Sequence, residues 1–411
     1  MQRGECRTCG RPVLEEVRVQ RGFRILSEGR EIPFDIHTQL CAHCGVVQTD
    51  PQPDARELAR FYASQERDAF VAPDAADGAT GAGARVPGEG SRRDQARWLA
   101  RALGNLRGKR VLEVGCYEGY LLHLLAKRGA IAVGIEPSER AAALGRERYG
   151  VDVRTGLFED VDLGDSRFDL VVLSHVLEHL TDPRAALEHA RALCAPGGAL
   201  FVEVPNVLAP RIESAVDFFT FDHLFNFAPA TLGALARACG FEPVSVDDDF
   251  PFPAFRLLAA ACEPARAALD APSPAVPEVR ASVRRYARER DAFVARLRAR
   301  IDGELAGWRA RHCRIAIYGA GYHTECLLDT TDLRSADVVA LVDGNPRKQG
   351  TRVFGLPVVS PRELVALRPD AVVISSYDFQ DEMVETLRGV GLGDVPTVTF
   401  YDRVQAFSQA G

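Results

Sequence analysis

Short apolar runs alternate with amphipathic runs in the middle of the chain. The runs KRVLEVGC, AIAVGIEP and GGALFVEVP predict buried strands, FDLVVLSHVLEHL predicts a strand that leads into a helix, and GYLLHLLAKRG and SERAAALGRERYG predict helices. Strands that alternate with helices form a parallel sheet with helices on both faces. The middle of the chain is therefore predicted to be an α/β domain of the Rossmann-like type.

The same alternation starts again near the C-terminus, in RIAIYGAGYHTECLLDT, VVALVD and AVVISSY. These segments predict a second, smaller Rossmann-like domain. A charged stretch from about Val279 to Arg311 separates the two domains, and its apolar residues recur mostly at three- and four-residue steps. This period predicts one long spacer helix.

Two stretches without a periodic apolar face divide the chain further. Residues 72–91 are rich in Ala, Gly, Asp and Pro, and prolines cluster near residues 263–278. The predicted divisions are an N-terminal module at 1–65, a flexible linker at 66–91, the central α/β domain at 92–262, a linker with the spacer helix at 263–311, and the C-terminal domain at 312–411.

Charge and hydropathy narrow the class of partner. The 411 residues carry a formal net charge of -7, whereas a nucleic-acid partner requires a basic surface, so none is expected. No run approaches the roughly 20 apolar residues of a membrane helix, and the polar start MQRGECRTCGRPVLEE has no signal-peptide core. We expect a cytoplasmic protein with a small-molecule substrate. An anionic substrate bound in a local Arg-lined pocket is compatible with the negative net charge.

Four N-terminal cysteines form two CxxC pairs, Cys6 with Cys9 and Cys41 with Cys44. Each CxxC turn directs two thiolates to one point, and two such turns supply a tetrahedral Zn²⁺ site. Such a closed site has no open position, so the zinc is expected to be structural. The 31 residues between the pairs leave room for a β-hairpin through VRVQ and FRILS. A redox role for one pair is the alternative.

The first strand of the central domain ends in a glycine turn, Glu113-Val-Gly115-Cys-Tyr117-Glu-Gly119. Ligands of open parallel sheets lie outside the carboxyl ends of the strands, near this turn. The GxGxxG of dinucleotide sites is absent, and the turn instead resembles the first motif of class I methyltransferases that use S-adenosylmethionine (SAM). The resemblance implies a SAM site that includes Gly115, Tyr117 and Gly119. It also implies that Glu113 stabilises the ammonium group of the methionine moiety.

Later segments resemble the same family in the same order. Glu136 ends the next strand, where an acidic side chain accepts the ribose hydroxyls in this family. The segment GLFEDVDLGDSRFDLVVLSHVLEHL is similar to its adenine-side loop and fourth strand, and CAPGGALFVEVPN is similar to its fifth strand. By this resemblance, Phe158 and Glu159 border the adenine, and Ser174 and His175 lie beside the methionine tail.

The order of the three domains resembles that of the zinc-containing nucleotide-sugar C-methyltransferases of deoxysugar pathways. The segments that carry the likeness are LCAHCGVVQTDPQPDARELARFYAS, EVGCYEG, YGAG, VDGNPRKQG, GLPVVSPREL and RPDAVVISSYDFQDEM. The resemblance implies SAM and structural Zn²⁺ as cofactors. It also implies a nucleotide-linked sugar as the substrate.

The base proposed for that family lies in a Tyr-His-Glu-His stretch, which corresponds here to Thr220-Phe221-Asp222-His223. His223 matches the final histidine, and Asp222 replaces the glutamate. The resemblance implies that His223, oriented by Asp222, removes a proton beside a keto group, after which the enolate carbon takes the methyl group. Unrelated methyltransferases carry a similar histidine-aromatic segment, so a role for His223 in shaping the pocket is the alternative.

Two further histidines, His175 and His179, are spaced to share one face of the predicted helix. We do not expect them to bind a metal, because no third ligand follows in the sequence.

The C-terminal domain has a glycine turn of its own after its first strand, at Tyr318, Gly319 and Gly321. Asp343 ends the next strand, and Lys348 lies in the basic segment PRKQG. These five residues are candidates for binding the phosphates of the substrate. A purely structural turn and a bound nicotinamide dinucleotide are the alternatives.

Three functions are therefore compatible with the sequence. The first is a SAM-dependent C-methyltransferase of keto-deoxysugar nucleotides. The second is an O- or N-methyltransferase acting on another metabolite. The third is a non-catalytic protein that binds nucleotide sugars or dinucleotides.

Overall fold

A computed structural model of the chain describes residues 4–27, 30–53, 58, 89–249, 253–346, 348–377 and 379–401. The predicted linker at 66–91 lies outside these residues up to position 88. The described residues form two compact units. The first contains the described residues up to 58, 89–210 and 219–287, and the second contains Arg211–Phe218 and the described residues from 288 to 401. Among the described helices, none is long and apolar enough to span a membrane.

The N-terminal part of the first unit is a four-stranded antiparallel sheet. Its strands, in sheet order, are β1 (Leu14–Ser27), β2 (Arg30–Cys41), β3 (Val47–Thr49) and β9 (Phe225–Asn226). A hairpin between the two cysteine pairs is confirmed, but VRVQ and FRILS do not face each other, since both lie in β1. The strand β9 comes from far along the chain, and no local pattern in the sequence predicts its pairing with β3.

The main sheet of the first unit has seven strands in the order β10-β11-β8-β7-β4-β5-β6. The strands from β8 to β6 are parallel, and β10 and β11 form an antiparallel hairpin at one edge. Their bounds are β4 (Arg110–Val114), β5 (Ile131–Glu136), β6 (Asp152–Thr155), β7 (Phe168–Ser174), β8 (Cys194–Pro205), β10 (Phe241–Asp247) and β11 (Ala254–Ala261). The order reverses between β4 and β7, and open α/β sheets bind their ligands beyond the carboxyl ends of the strands at such a reversal.

Helices cover both faces of this sheet, as the apolar runs predicted. They are α1 (Glu89–Leu103), α2 (Tyr120–Ala126), α3 (Glu139–Tyr149), α4 (Pro183–Leu193) and α5 (Pro229–Ala238). Successive residues of β7 alternate between two apolar layers: Leu170 and Val172 pack under α1 and α2, whereas Val171 and Leu173 pack on the opposite face. Because successive side chains point to opposite faces, a strand that is buried on both faces appears in the sequence as one continuous apolar run.

The second unit is the smaller Rossmann-like domain that the C-terminal alternation predicted. Its six-stranded sheet has the order β14-β15-β13-β12-β16-β17. The strands are β12 (Arg314–Tyr318), β13 (Asp337–Val342), β14 (Arg352–Val353), β15 (Leu356–Val359), β16 (Ala371–Ile374) and β17 (Thr397–Val398). The helices are α7 (Tyr322–Thr330), α8 (Pro361–Leu367) and α9 (Gln380–Gly389).

The predicted spacer helix is confirmed as α6 (Val276–Arg311), one helix of 36 residues. Its residues up to Ala287 belong to the first unit and those from Arg288 to the second. Its apolar face is buried in both parts, for example by Val283 and Tyr286 in the first and by Leu297 and Ile301 in the second.

Candidate functional site

The glycine turn of the first unit joins β4 to α2. Gly115 has a φ of 64°, and a Cβ at this position would lie 2.6 Å from Cγ2 of Val176. Gly119, with a φ of 71°, begins α2, and a Cβ there would lie 2.8 Å from Cγ2 of Val151. Both positions therefore require glycine for conformation and for space. Tyr117 also has a left-handed backbone, with a φ of 51°, so the turn is tightly constrained.

Glu136 closes this turn from the end of β5. Its Oε2 accepts the backbone N–H of Tyr117 at 2.8 Å, and its Oε1 accepts that of Ser138 at 2.9 Å. The carboxylate is 8% exposed, at the carboxyl edge of the sheet beside the turn. Carboxylate oxygens keep spare lone pairs beyond these two bonds, so Glu136 can still accept hydroxyl donors of a ligand.

Glu113 lies almost completely buried at the end of β4, with 1% of its surface exposed. Burial raises the pKa of its carboxyl group to about 7, although the positive charge of Arg92 opposes this. Oε1 of Glu113 lies 3.9 Å from Nη1 of Arg92, and among the described residues Oε2 has no hydrogen-bond partner. A buried carboxylate oxygen without a partner is costly, so this atom fits a cationic ligand group such as an ammonium.

A polar cluster continues along the edge from Glu113. Oγ of Ser174 accepts hydrogen bonds from Nη1 of Arg92 at 2.7 Å and from Nε2 of Gln95 at 2.8 Å. Gln95 also donates to Oε1 of Glu203 at 2.6 Å. Arg92 and Gln95 lie on α1, so this helix brings a cation and an amide to the strand ends where the turn opens.

His175 lies between two buried carboxylates. Its Nδ1 is 3.3 Å from Oε1 of Glu178 and its Nε2 is 3.2 Å from Oε1 of Glu203. Burial alone would lower the pKa of His175, but the hydrogen bonds and charges of the two carboxylates raise it to about 9. His175 is therefore an imidazolium near neutral pH, and both ring nitrogens act as donors.

Glu203 is held ionised in the same network. Burial opposes its charge, but the hydrogen bonds and charges of His175 and Arg256 lower the pKa of Glu203 to about 2. Arg256 is 2% exposed, and its Nε donates to Oε2 of Glu203 at 2.5 Å. The network fixes the orientation of His175 at the end of β7.

The two residues predicted to border the adenine lie in different environments. Phe158 is buried, and its ring stacks on that of His189 with centroids 4.5 Å apart. Glu159 is exposed. The neighbouring Leu157 is 39% exposed, so it supplies the open apolar surface of this loop.

His223 lies beside His179, with ring centroids 4.8 Å apart in an edge-to-face arrangement. Nδ1 of His223 is buried and has no hydrogen-bond partner among the described residues. Nδ1 of His179 lies 2.8 Å from the backbone oxygen of Asp222 and 3.6 Å from its Oδ2. A donor at Nδ1 leaves Nε2 of His179 as the basic nitrogen.

The structure differs from the prediction that His175 and His179 share one helix face. His175 has a φ of 55°, and only a short 3₁₀ turn, Leu177–His179, follows it. Donor atoms of Glu178, His179 and His223 lie within 4.8 Å of one another, so the three side chains could hold a metal ion. No third ligand follows closely in the sequence, because His223 is 44 residues beyond His179.

The four N-terminal cysteines converge at the base of the β1–β2 hairpin. Sγ of Cys6 lies 3.6 Å from that of Cys44, and the same distance joins Cys9 and Cys41. All four sulfurs lie within 4.8 Å of one another. Zn–S bonds of about 2.3 Å in a tetrahedron place sulfurs about 3.8 Å apart, so the donor set fits a zinc ion.

The glycine turn of the second unit brings together three of the five predicted residues there. Oδ2 of Asp343 accepts the backbone N–H of Ala320 at 3.1 Å. Nζ of Lys348 donates to the Ala320 oxygen at 3.0 Å and lies 3.4 Å from Oδ2 of Asp343. A Cβ on Gly321 would lie 3.8 Å from the same Nζ.

Of the other two, Gly319 has a φ of 120°, and its oxygen accepts a hydrogen bond from Oγ1 of Thr324. Tyr318 is buried in the core of this unit, and burial raises the pKa of its hydroxyl group.

Arg92, Gln95, Glu178, Glu203 and Arg256 were not predicted as site residues. Glu203 and Arg256 had a signal, because each is a single charged residue inside an apolar strand, FVEVP and AFRLLAAA. A charge at a position that should be buried requires a partner. The other three follow no motif that the sequence alone makes visible.

Comparison with known families identifies two regions of the chain. Residues 89–246 match the model of a methyltransferase domain, and residues 278–394 match the model of a C-methyltransferase C-terminal domain. The first match covers both the glycine turn and the His223 segment.

Several curated proteins are similar to the central region. The ubiquinone biosynthesis O-methyltransferase of Bordetella bronchiseptica is 30% identical over 172 residues, which are 36% of this chain and 68% of that protein. A probable S-adenosylmethionine-dependent methyltransferase of Mycolicibacterium smegmatis is 33% identical over 138 residues, which are 33% of this chain and 52% of that protein.

A solved structure with a similar fold is that of the 1,6-didemethyltoxoflavin-N1-methyltransferase of Burkholderia thailandensis. It has 20% sequence identity and a TM-score of 0.40, and the match covers 55% of this chain and 96% of that one. The family models and the curated relatives together decide the class. The chain belongs to the SAM-dependent methyltransferases and is an enzyme of that class.

Proposed function

We propose that this methyltransferase transfers a methyl group to a carbon atom of a keto-deoxysugar nucleotide, through an enolate formed by His223. The observation that carries the proposal is the buried Nδ1 of His223, which has no partner among the described residues. The match of residues 278–394 to a C-methyltransferase C-terminal domain supports carbon as the acceptor. SAM, when bound, supplies an electrophilic methyl group.

The residues of the first glycine turn are proposed to hold SAM. Oε2 of Glu113 would bind the ammonium group, and Glu136 would accept the ribose hydroxyls. Arg92 lies beside Ser174 and is suited to the carboxylate of the methionine moiety. The exposed side chain of Leu157 offers an apolar surface to the adenine. Gly115, Tyr117, Gly119, Phe158, Glu159 and His175 complete the proposed site.

The proposed proton transfer uses His223 as a general base. The imidazole of His223 takes a proton from the carbon next to the keto group, and the electrons of that C–H bond form the enolate. The enolate carbon then bonds to the methyl group as the carbon–sulfur bond breaks, and the ketone is restored. His179 and Asp222 fix the position of the base, since His179 contacts both.

A transfer screen tests the proposed acceptor. SAM with an isotopically labelled methyl group is incubated with a panel of 4-keto-deoxysugar nucleotides, and the product is examined by NMR. The proposal predicts label on a ring carbon of at least one member. Label on oxygen or nitrogen, or turnover of no member, would reject the sugar C-methyltransferase assignment.

Solvent proton exchange tests the base separately from methyl transfer. Incubated in D₂O without SAM, the wild-type enzyme should exchange the proton beside the keto group, whereas His223→Ala should not. The matched control is His312→Ala, which alters an exposed histidine just after α6. Full turnover by His223→Ala on a true substrate would leave His223 only a pocket-shaping role.

O-methylation of another metabolite is the second candidate. Its support is that the ubiquinone biosynthesis enzyme of Bordetella bronchiseptica is named as an O-methyltransferase. That chemistry needs no proton exchange at carbon, so the D₂O measurement separates the two candidates.

We also propose that Cys6, Cys9, Cys41 and Cys44 hold a structural Zn²⁺ ion. Metal analysis of the purified protein should find about one zinc per chain, and Cys9→Ser should lower this content and destabilise the N-terminal sheet. Cys262→Ser, at a partly exposed cysteine outside the cluster, is the control. Zinc content unchanged by Cys9→Ser would contradict the assignment.

The C-terminal turn at Tyr318, Gly319, Gly321, Asp343 and Lys348 is proposed to bind the phosphates of the sugar nucleotide. Its support is the position of Lys348, whose Nζ donates a hydrogen bond to the backbone oxygen of Ala320 within the turn. Glycine turns at strand ends present backbone N–H groups that suit phosphate.

A further inference from the structure

The segment Arg211–Phe218 leaves the first unit after Pro210, belongs to the second unit, and returns to the first at Phe219. It contains no helix or strand. Its backbone carbonyls therefore lack the partners that regular secondary structure supplies. Four residues after its end, the chain reaches Asp222, and His223 follows.

Arg290 on α6 supplies donors for these carbonyls. Its Nη2 donates to the oxygen of Ala215 at 2.7 Å, and its Nη1 donates to the oxygens of Ser214 and, at 3.3 Å, of Ile212. Its Nε lies 3.5 Å from Oδ2 of Asp217. The Arg290 side chain is 2–3% exposed, so a buried guanidinium binds one short segment through three carbonyls and a carboxylate.

A second group fixes the same segment. The hydroxyl of Tyr401 accepts the backbone N–H of Ala215 at 2.9 Å and lies 2.6 Å from Nε2 of His323. Burial and the charge of Arg290 lower the pKa of His323 to about 4, so its ring is neutral and can accept the hydroxyl proton. Nδ1 of His323 then donates to Oγ of Ser375, 3.0 Å away at the end of β16.

The helix α6 also contacts the chain just after this segment. Phe219 packs edge-on against Tyr286, with ring centroids 5.5 Å apart. Tyr286 and Arg290 are four residues apart, so they lie on one face of the same helix. The helix thus binds the segment at Ser214 and Ala215 and the following residue at Phe219.

We propose that Arg290, supported by Tyr401, is a positioning residue for the proposed base: it fixes Arg211–Phe218 and thereby the start of the chain that carries Asp222 and His223. This inference rests on the proposed function of His223. Arg290 contacts the segment 211–218 itself. It acts through the backbone, and misplacement of a catalytic group by about 1 Å can cost about 100-fold in rate.

The test compares Arg290→Met with Arg288→Met, which alters an exposed arginine of the same helix. Hydrogen–deuterium exchange followed by mass spectrometry should show faster exchange in peptides covering 211–223 of Arg290→Met only. Exchange at 110–120 and the affinity for S-adenosylhomocysteine (SAH) should stay within about twofold of wild type. On an accepted sugar nucleotide, kcat should fall by about 10- to 100-fold with KM little changed.

Conservative variants separate positioning from folding. Arg290→Lys should restore part of kcat because it keeps the charge but not the fork of donors, and Tyr401→Phe should cause a smaller loss than Arg290→Met. Faster exchange confined to 211–218, or equal losses of SAH affinity and kcat, would overturn the proposal. If wild type methylates without proton exchange, the base assignment fails, while the exchange pattern at 211–223 still decides the role of Arg290.

Discussion

The two Rossmann-like units share a turn but differ in the charge placed beside it. In the first unit the strand-end acid Glu136 accepts the N–H of Tyr117, and in the second Asp343 accepts the N–H of Ala320. Each acid also accepts a second backbone N–H two residues later, from Ser138 and from Asn345. In both units, therefore, the acid at the strand end holds the backbone of the turn through the same pair of hydrogen bonds.

The difference lies two residues before the first glycine of each turn. The first unit has the buried carboxylate of Glu113 there, whereas the second has Ile317, which is fully buried in the apolar core. The second unit instead places the ammonium of Lys348 on the turn. An anion suits the ammonium group of SAM and a cation suits phosphate, so we expect the two turns to differ in the ligands that they bind.

Exchanging the carboxylate for an amide should give the largest effect. Glu113→Gln removes the charge that would bind the ammonium and should weaken SAH binding by about 10- to 100-fold. Asp343→Asn, the matched change in the second unit, should leave SAH affinity unchanged. Isothermal titration calorimetry measures both, and equal effects of the two variants would remove the distinction between the units.

The pH dependence of SAH binding should follow the same carboxyl group. Because burial raises the pKa of Glu113 to about 7, the ionised form that the ammonium requires is lost as pH falls below this value. Affinity should then decrease by up to about tenfold per pH unit between pH 7 and pH 5.5. Glu113→Gln should flatten this profile, and a wild-type profile that is already flat would argue against Glu113 as the ammonium partner.

Lys348→Met tests the proposed phosphate site of the second unit. Loss of the ammonium should raise the KM for a sugar nucleotide by about 3- to 10-fold and leave SAH affinity unchanged. Lys109→Met is the control, since Lys109 is an exposed lysine on the first unit. An unchanged KM would leave the C-terminal turn a structural role.

The last expected effect concerns stability rather than ligand affinity. A carboxyl group whose folded pKa lies above its unfolded value costs stability once pH exceeds the unfolded value, so Glu113 should destabilise the fold at pH 8. Glu113→Gln should therefore raise the free energy of unfolding by about 1–3 kcal/mol at pH 8. The gain should shrink towards pH 5. Chemical denaturation at both pH values tests this, and a loss of stability at pH 8 would contradict it.

The alternation of apolar and amphipathic runs was enough to predict both α/β units and the spacer helix. This prediction succeeded because strands that are buried on both faces are short and apolar throughout, as residues Leu170 to Leu173 of β7 show. It could not predict the pairing of Phe225–Asn226 with β3, because a two-residue strand has no period of its own. The hairpin of the N-terminal sheet was predicted, but both segments named for it, VRVQ and FRILS, lie in β1.

The site was predictable where side chains follow a motif along the chain. The turn from Glu113 to Gly119 and the cysteine pairs are local patterns of this kind. The partners of His223 and of His175 come from distant positions, such as His179 and Glu203, and only tertiary packing brings them together. The hydrogen bonds from Arg290 to Ser214 and Ala215 correspond to no local sequence pattern in either segment.

The most direct test of the central claim is the stoichiometry of SAM binding to the intact chain. Equilibrium dialysis with labelled SAM should find one site per chain, competed by SAH, weakened about 10- to 100-fold in Glu113→Gln and unchanged in Asp343→Asn. Two sites per chain, or one site that survives Glu113→Gln and disappears in Asp343→Asn, would contradict the assignment of the cofactor to the first unit.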